Sequence, residues 1–224
     1  MSKRELPILH RDDPAKEPLV GHVKVTREDW LNVARDVLVS DGVAEVKVLA
    51  LGQRLDVSRS SFYWYFKSRK HLLEALLDDW ETRNTRTIVA QCDLPAQTIT
   101  EAVGNFFKCF LNPDLFDRGL DFAVREWSRR DGTVRQRIDQ ADRTRLAAVT
   151  AMYERHGFTP YEADVRARIL YYMQLGYHAL DVRESMQARC ERLAGYLKGF
   201  TGQDATDAEL AEAIAYAFKY EGHQ

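Results

Sequence analysis

An all-α chain is what this sequence predicts, and three observations carry the expectation. Apolar residues recur at three- and four-residue spacing, no stretch alternates apolar and polar as a half-buried strand would, and helix-start signals are frequent. Thr98-Ile99-Thr100-Glu101, Thr159-Pro160-Tyr161-Glu162 and Thr206-Asp207-Ala208-Glu209 each fit the capping box, where the Thr hydroxyl and the Glu carboxylate satisfy each other's backbone donors.

Taken in order, residues 1–22 carry Pro7, Pro14 and Pro18 with mixed charge and no periodicity, and read as a flexible tail. Thr26 is an N-cap with Glu28 and Asp29 in the first turn, Leu31, Ala34, Val37 and Leu38 mark one face, and Gly42 stops the helix. Leu51 and Leu55 are four apart, as are Phe62 and Phe66, so each pair lies on one face of a short helix and packs against the other. Asp56-Val57-Ser58 is the turn between them: Asp56 tolerates a left-handed backbone and Ser58 caps the next helix. After Ser68, Leu72, Leu73, Leu76, Leu77 and Trp80 keep helical period to about Cys92, where Asp93-Leu94-Pro95 ends the segment. Three parts are expected: the tail at 1–22, a helix-turn-helix unit at 23–83 and a helical unit at 84–224.

In the last part the capping sites, Asn112-Pro113 as a further start, and Gly132, Gly157 and Gly202 as stops predict helices over 97–111, 113–130, 131–156 and 160–181, then a final one after Thr206. Pro160 sits where its missing N–H costs nothing. The helix from Pro160 is apolar on two sides, with Ala163, Ala167, Leu170, Tyr171 and Tyr177 on one and Val165, Ile169, Tyr172, Met173, Gly176 and Leu180 on the other. A helix apolar on both sides is buried on both. One side belongs to the core and the other to a second subunit. Ala211, Ile214, Ala215 and Phe218 form a matching stripe on the final helix.

The helix-turn-helix points to DNA. In such motifs the first residues of the second helix face base edges in the major groove, here Arg59, Ser60 and Ser61 behind the cap Ser58. Arg59 suits guanine O6 and N7, and the serines suit many bases. Tyr63, Trp64, Tyr65, Lys67 and Arg69, with Lys47 at the preceding helix start, suit phosphate and sugar. From Arg54 to Lys70 five basic residues face one acid, Asp56, a balance of +4 inside a chain of net charge −2. Lys3 and Arg4 stand open as minor-groove contacts or as part of a solvated tail.

The run Phe62-Tyr63-Trp64-Tyr65-Phe66-Lys67-Ser68-Arg69-Lys70-His71-Leu72-Leu73 resembles the signature of the TetR family of bacterial transcriptional regulators, over about residues 25 to 83. Tyr65 stands where that family usually has His, Arg69 where it usually has Lys, and Asp56 where a turn Gly is common. The resemblance implies a three-helix DNA-binding domain followed by a helical ligand-binding and dimerisation domain. It also implies a homodimer on a pseudo-palindromic operator and a small-molecule effector, with a repressor expected rather than an activator. The helix after Ser68 would then transmit a signal by its tilt. Val165, Ile169, Tyr172, Met173, Gly176, Leu180, Ala211, Ile214 and Phe218 would form a four-helix dimer interface. Phe106, Phe110, Phe122, Trp127, Tyr153, Tyr171, Gln174 and His178 are the candidate pocket, with Arg125 and Glu126 as further polar groups and plain core filling as the alternative for each aromatic.

Other classes fare worse. The histidines at 10, 22, 71, 156, 178 and 223 show no metal-ligand spacing, Glu154 and His156 do not share a helical face, and neither a Gly-rich phosphate loop nor a G-x-S-x-G elbow occurs. No catalysis, cofactor or metal is expected. Cys92, Cys109 and Cys190 lack C-x-x-C spacing and read as free thiols, with a redox-sensing pair as the alternative. No run approaches the roughly 18 apolar residues of a membrane span and no apolar h-region follows the start, so a cytoplasmic protein is expected. The remaining rival is a helix-turn-helix interaction module without specific DNA binding, which would carry a neutral second helix.

Overall fold

The structure, a computed structural model, describes residues 25–221. The expected tail at 1–22, with Lys3 and Arg4, lies outside the described residues, as do His10, His22 and His223. Helix follows helix, and no strand occurs among the described residues.

Helix α1 (Arg27–Asp41) starts at a reciprocal box: Asp29 N donates to Thr26 Oγ1 at 3.2 Å and Thr26 N to Asp29 Oδ2 at 2.7 Å. It buries Trp30, Leu31, Ala34, Val37 and Leu38, and a 3-10 turn at Val43–Glu45 leads on to α2 (Val48–Arg54). Asp56 takes φ +52°, the left-handed backbone expected of the turn. Gly52 is required by a close approach, since a Cβ there would sit 3.1 Å from Val57 O. Helix α3 (Arg59–Phe62) is one turn long, so tertiary packing rather than helix propensity holds it.

Helix α4 (Arg69–Trp80) is capped by the Ser68 hydroxyl, which accepts from His71 N. The chain then continues through a π-helical turn at Glu81–Thr85 into α5 (Arg86–Asp93), so the segment expected to be one helix carries an inserted irregularity near its middle. Helices α6 (Ile99–Leu111), α7 (Arg118–Ser128), α8 (Gly132–Arg155) and α9 (Pro160–Ala179) follow. Two short helices, α10 (Met186–Glu191) and α11 (Leu193–Thr201), then lead to α12 (Asp207–Lys219).

Three local expectations need correcting. Asn112-Pro113 does not start a helix: Asn112 Oδ1 accepts from Asp114 N at 2.9 Å, which turns the chain, and α7 begins at Arg118 behind the Asp117 cap. Gly132 is no stop but the first residue of α8, because the Asp131 carboxylate accepts from Thr133 N and Val134 N. At Thr98 only half of the box forms, since Glu101 turns to Gln97 N instead, whereas the boxes at Thr159 and Thr206 are reciprocal. Gly157 and Gly202 take φ +85° and +74° after α8 and α11, as helix stops do.

Buried side chains form two cores. The first joins Trp30, Leu51, Phe62, Phe66, Leu72 and Trp80 to Leu120 and Val124 of α7 and Val134 and Ile138 of α8. The second gathers Ile88, Val103, Phe106, Tyr153, Leu170 and Phe200. At the seam, beside the π-helical turn, charge is buried. Arg145 and Asp121 meet at 2.9 Å with their side chains 0% and 1% exposed, and Arg125 Nε donates to the second Asp121 oxygen at 2.9 Å. Trp80 Nε1 donates to Asp121 Oδ1, Arg145 Nε to Thr85 Oγ1, and Tyr171 Oη to Asp142 Oδ1. Burial alone would raise the Asp121 carboxyl, but the guanidinium groups of Arg145 and Arg125 outweigh it and hold it well below the usual carboxylate range.

Candidate nucleic-acid interface

Phe62 is fully buried and anchors α3, its ring 5.3 Å from Trp30 edge-on and 5.4 Å from Phe66 stacked. With that face fixed, Ser58, Arg59, Ser60, Trp64 and Lys67 are exposed, as is Tyr63, and Ser61 is half-buried. Trp64 is 85% exposed, a large apolar ring held in solvent. Arg59 Nη2 donates to Tyr63 Oη at 2.9 Å, with Cζ 5.7 Å from that ring's centroid, so the guanidinium lies along the helix surface toward Tyr63. The Ser58 hydroxyl pairs with Ser60 Oγ at 2.7 Å and makes no cap bond, although Ser58 does hold the N-cap position. Lys47 is the N-cap residue of α2 and pairs with Glu45 at 2.9 Å.

Tyr65 and Arg69 bond within the unit. Tyr65 is half-buried and its hydroxyl donates to Val25 O at 2.7 Å. Arg69 donates from Nε to Val46 O at 2.6 Å and from Nη2 to Val43 O at 2.5 Å, which ties the start of α4 to the α1–α2 link. Both side chains donate to backbone carbonyls of the unit itself; Tyr65 is half-buried, while Arg69 is exposed.

The eight candidate pocket residues do not form one site. A cavity of about 140 Å³ lies among α6, α9, α10, α11 and α12, and of the eight only Phe110 and Gln174 line it. His178 borders it indirectly, 5.5 Å from the Phe110 ring centroid and with Nε2 2.8 Å from Gln174 Nε2. Burial, reinforced by Arg118, pushes the His178 imidazole down to about 4. Phe106 packs behind Phe110 in the second core, Tyr153 is buried with its hydroxyl on Phe200 O, and Tyr171 serves the buried charges at the seam. Trp127 packs against the first core, and Phe122 borders a separate surface cleft with Arg125 and Glu126. The sequence signalled the aromatics but not the partition, because α7 and half of α8 turn toward the other core. Phe107, beside Phe106 and Phe110 in the aromatic run of α6, lines the cavity, and Tyr177, Tyr196 and Tyr216 line it unforeseen; the four-residue spacing of Tyr196 and Phe200 on one helix is the signal that pointed there.

On α9, Ala163, Ala167, Leu170 and Tyr171 are buried, while Val165, Ile169, Tyr172 and Leu180 on the opposite face are 38%, 54%, 50% and 78% exposed. Met173 and Gly176 are half-buried beside them, and α12 presents exposed Ala211 and Phe218 with half-buried Ile214. All three cysteines are free; Cys92 and Cys109 are buried, and burial pushes the Cys92 thiol up to about 12. Among the described residues no helix is long and apolar enough to cross a membrane.

Residues 31–76 match the sequence model of the family described as bacterial regulatory proteins, tetR family. Solved structures with this fold include E. coli NemR in its reduced form (TM-score 0.55, 19% identity, 88% of this chain and 97% of that one). Mycobacterium smegmatis AmtR is similar at TM-score 0.55 and 17% identity, covering 90% and 98%. A transcriptional regulator from Aquifex aeolicus VF5 is similar at TM-score 0.54 and 15% identity, covering 87% and 98%. No curated protein matches the chain. Residues 31–76 are thus a tetR-family domain, and the helical chain around them has the fold of that family's transcriptional regulators.

Proposed function

We propose that the chain is a ligand-responsive transcriptional repressor that binds a pseudo-palindromic operator as a homodimer. The observation that carries this reading is α3 itself. One helical turn and the segment that follows it, held down by Phe62 and Phe66, present Arg59, Ser60, Tyr63 and Lys67 to solvent from the most basic segment of an acidic chain. Arg59, Ser60 and Ser61 read bases, and Lys47, Ser58, Tyr63, Trp64 and Lys67 fix the register on phosphate and sugar. The exposed apolar stripe on α9 and α12 supports a second copy, which would set two α3 helices about one helical turn of DNA, or a multiple, apart. The division between reading and sensing parts falls, on this reading, near residue 83, where the π-helical turn lies. A small molecule in the helical cavity would favour one separation of the α3 pair over another, and so change operator affinity.

The test is selection of bound fragments from the source genome by the purified protein, followed by fluorescence anisotropy at two salt concentrations. A recovered palindrome, with Lys67→Ala weakening all sequences alike and reducing the salt slope by about one, is the expected result. Failure to enrich any site, with weak salt-insensitive binding, would favour a helix-turn-helix interaction module instead.

A further inference from the structure

The cavity among α6, α9, α10, α11 and α12 holds about 140 Å³, close to the roughly 150 Å³ of a dry protein cavity that takes up benzene. Phe107, Leu111, Met173, Leu197 and Ala217 give it a hydrocarbon wall. The carboxylates and the lysine at its margin are already paired. Glu209 accepts from Thr98 and Thr100 hydroxyls and from Thr206 N, Lys108 pairs with Glu212 at 2.8 Å, and Glu184 pairs with Arg192 at 2.6 Å. The Arg189 guanidinium lies over the Tyr177 ring, 5.2 Å from its centroid. Gln174, buried against His178, is an uncharged polar group in the wall, where Thr100, Tyr177, Tyr196 and Tyr216 carry hydroxyls.

Gly104 is the second observation. It sits mid-way along α6, where glycine costs about 0.5–1 kcal/mol relative to alanine. Its backbone is not among the positive-φ glycines, and a Cβ built there meets no atom within 4 Å. Neither backbone conformation nor close packing requires a glycine at this point. What the missing side chain does is leave room in the cavity it lines.

We propose that this cavity binds one uncharged, largely apolar molecule of single-ring or fused-ring size, with Gly104 providing the space and Gln174 the polar contact. An ion of the same size would lose its hydration against a wall whose carboxylates and lysine already have partners. The inference rests on the reading of the chain as ligand-responsive and names the chemistry of that ligand.

Melting temperature of the full chain, measured against indole, toluene, benzoate and benzylammonium, tests it. Indole and toluene are expected to raise Tm saturably, and benzoate and benzylammonium to leave it unchanged. Gly104→Leu, which fills the space and restores helix propensity, is expected to weaken indole binding at least tenfold; Ala213→Leu from the opposing α12 wall serves as a second blocker should the first misfold. No response to either neutral probe, an equal response to benzoate, or undiminished indole binding in a folded blocker would overturn the proposal. Operator anisotropy with indole separates the two readings: saturable binding that leaves operator affinity unchanged keeps the ligand class and removes the effector role.

Discussion

Arg59 and Arg145 are the same side chain in two regions of opposite construction. Arg59 stands exposed on a one-turn helix with a tyrosine beside it, and no carboxylate is recorded within ion-pair distance among the described residues. Arg145 is wholly buried, bonded to Asp121, Thr85 and Tyr171, with its Cζ 5.2 Å from the Trp80 ring centroid. A charge offered to a base edge is freest without a carboxylate partner, as at Arg59, whereas Lys47 still holds Glu45 at 2.9 Å. A charge inside the protein is tolerated only when every donor is matched, because the desolvation cost is otherwise uncompensated. Matching them draws α4, the π-helical turn, α7, α8 and α9 into one cluster, so the seam between the two cores is held by groups that hold one another.

The sharpest break in that comparison is Asp121→Ala. It strands Arg145 in the interior and should cost about 3–5 kcal/mol of stability, read from denaturant midpoints, whereas Arg59→Ala should shift stability by no more than about 0.5 kcal/mol. A loss under about 1 kcal/mol for Asp121→Ala would mean that water reaches the seam and the cluster is not what joins the cores. Replacing both partners with apolar residues, Asp121→Leu with Arg145→Met, should recover much of the loss, since removal of a whole pair is far milder than removal of half.

The second prediction uses His178, at the inner end of α9. Its folded value is about 4 against an ordinary 6.5, so between those values the unfolded chain holds more protons and stability falls as pH drops from 6.5 towards 4, by up to about 3 kcal/mol. Asp121 and Glu209, both held below their ordinary values of 3.8 and 4.5, lose their contributions as pH falls below those values. His178→Gln should flatten the limb between pH 6.5 and 4 and leave the lower limb in place. An unchanged upper limb would show that the imidazole is hydrated in the folded protein.

How much of this was legible in the sequence follows the same divide. The reading unit is written in local signals: the Thr26 cap, the stop at Gly42, the positive φ at Asp56 and the four-residue aromatic spacing that buries Phe62 and Phe66. The seam is not. Arg145 lies in a run with Arg143 on a charge-rich helix that reads as a solvated face, and its burial depends on Asp121 in another helix and Thr85 in a third. The π-helical turn has no residue signature, and the aromatics of the last part could be picked out but not assigned to one core or the other. Tyr65 and Arg69 show the same limit at short range, since their type fits phosphate and their partners turned out to be Val25, Val46 and Val43.

Two smaller effects sharpen the contrast from the exposed side. Arg59→Ala should weaken operator binding by about 1–3 kcal/mol and relax preference at one base pair. Tyr63→Phe, which keeps the ring and removes the hydroxyl Arg59 donates to, should reproduce part of that loss of preference. Unchanged sequence preference in Arg59→Ala, by competition anisotropy, would take Arg59 out of base readout.

The smallest expected effect is at Asp56. A non-glycine residue in the left-handed region costs roughly 1–2 kcal/mol unless its own side chain offsets the strain, and Asp is among the few that do so by local hydrogen bonding. Asp56→Ala should therefore lower stability by about 1 kcal/mol, or roughly 2–4 °C in Tm for a chain of this size, while Asp56→Gly should match or exceed the parent. The turn also aims α3. Four residues carry too little helix propensity to set their own direction, so the path from Gly52 through Asp56 to Ser58 decides where Arg59 points. If Asp56→Ala reduces operator affinity by more than its stability loss accounts for, and Asp56→Gly does not, the left-handed turn is part of the reading apparatus. If both leave affinity untouched, the Phe62 and Phe66 anchor alone orients the helix.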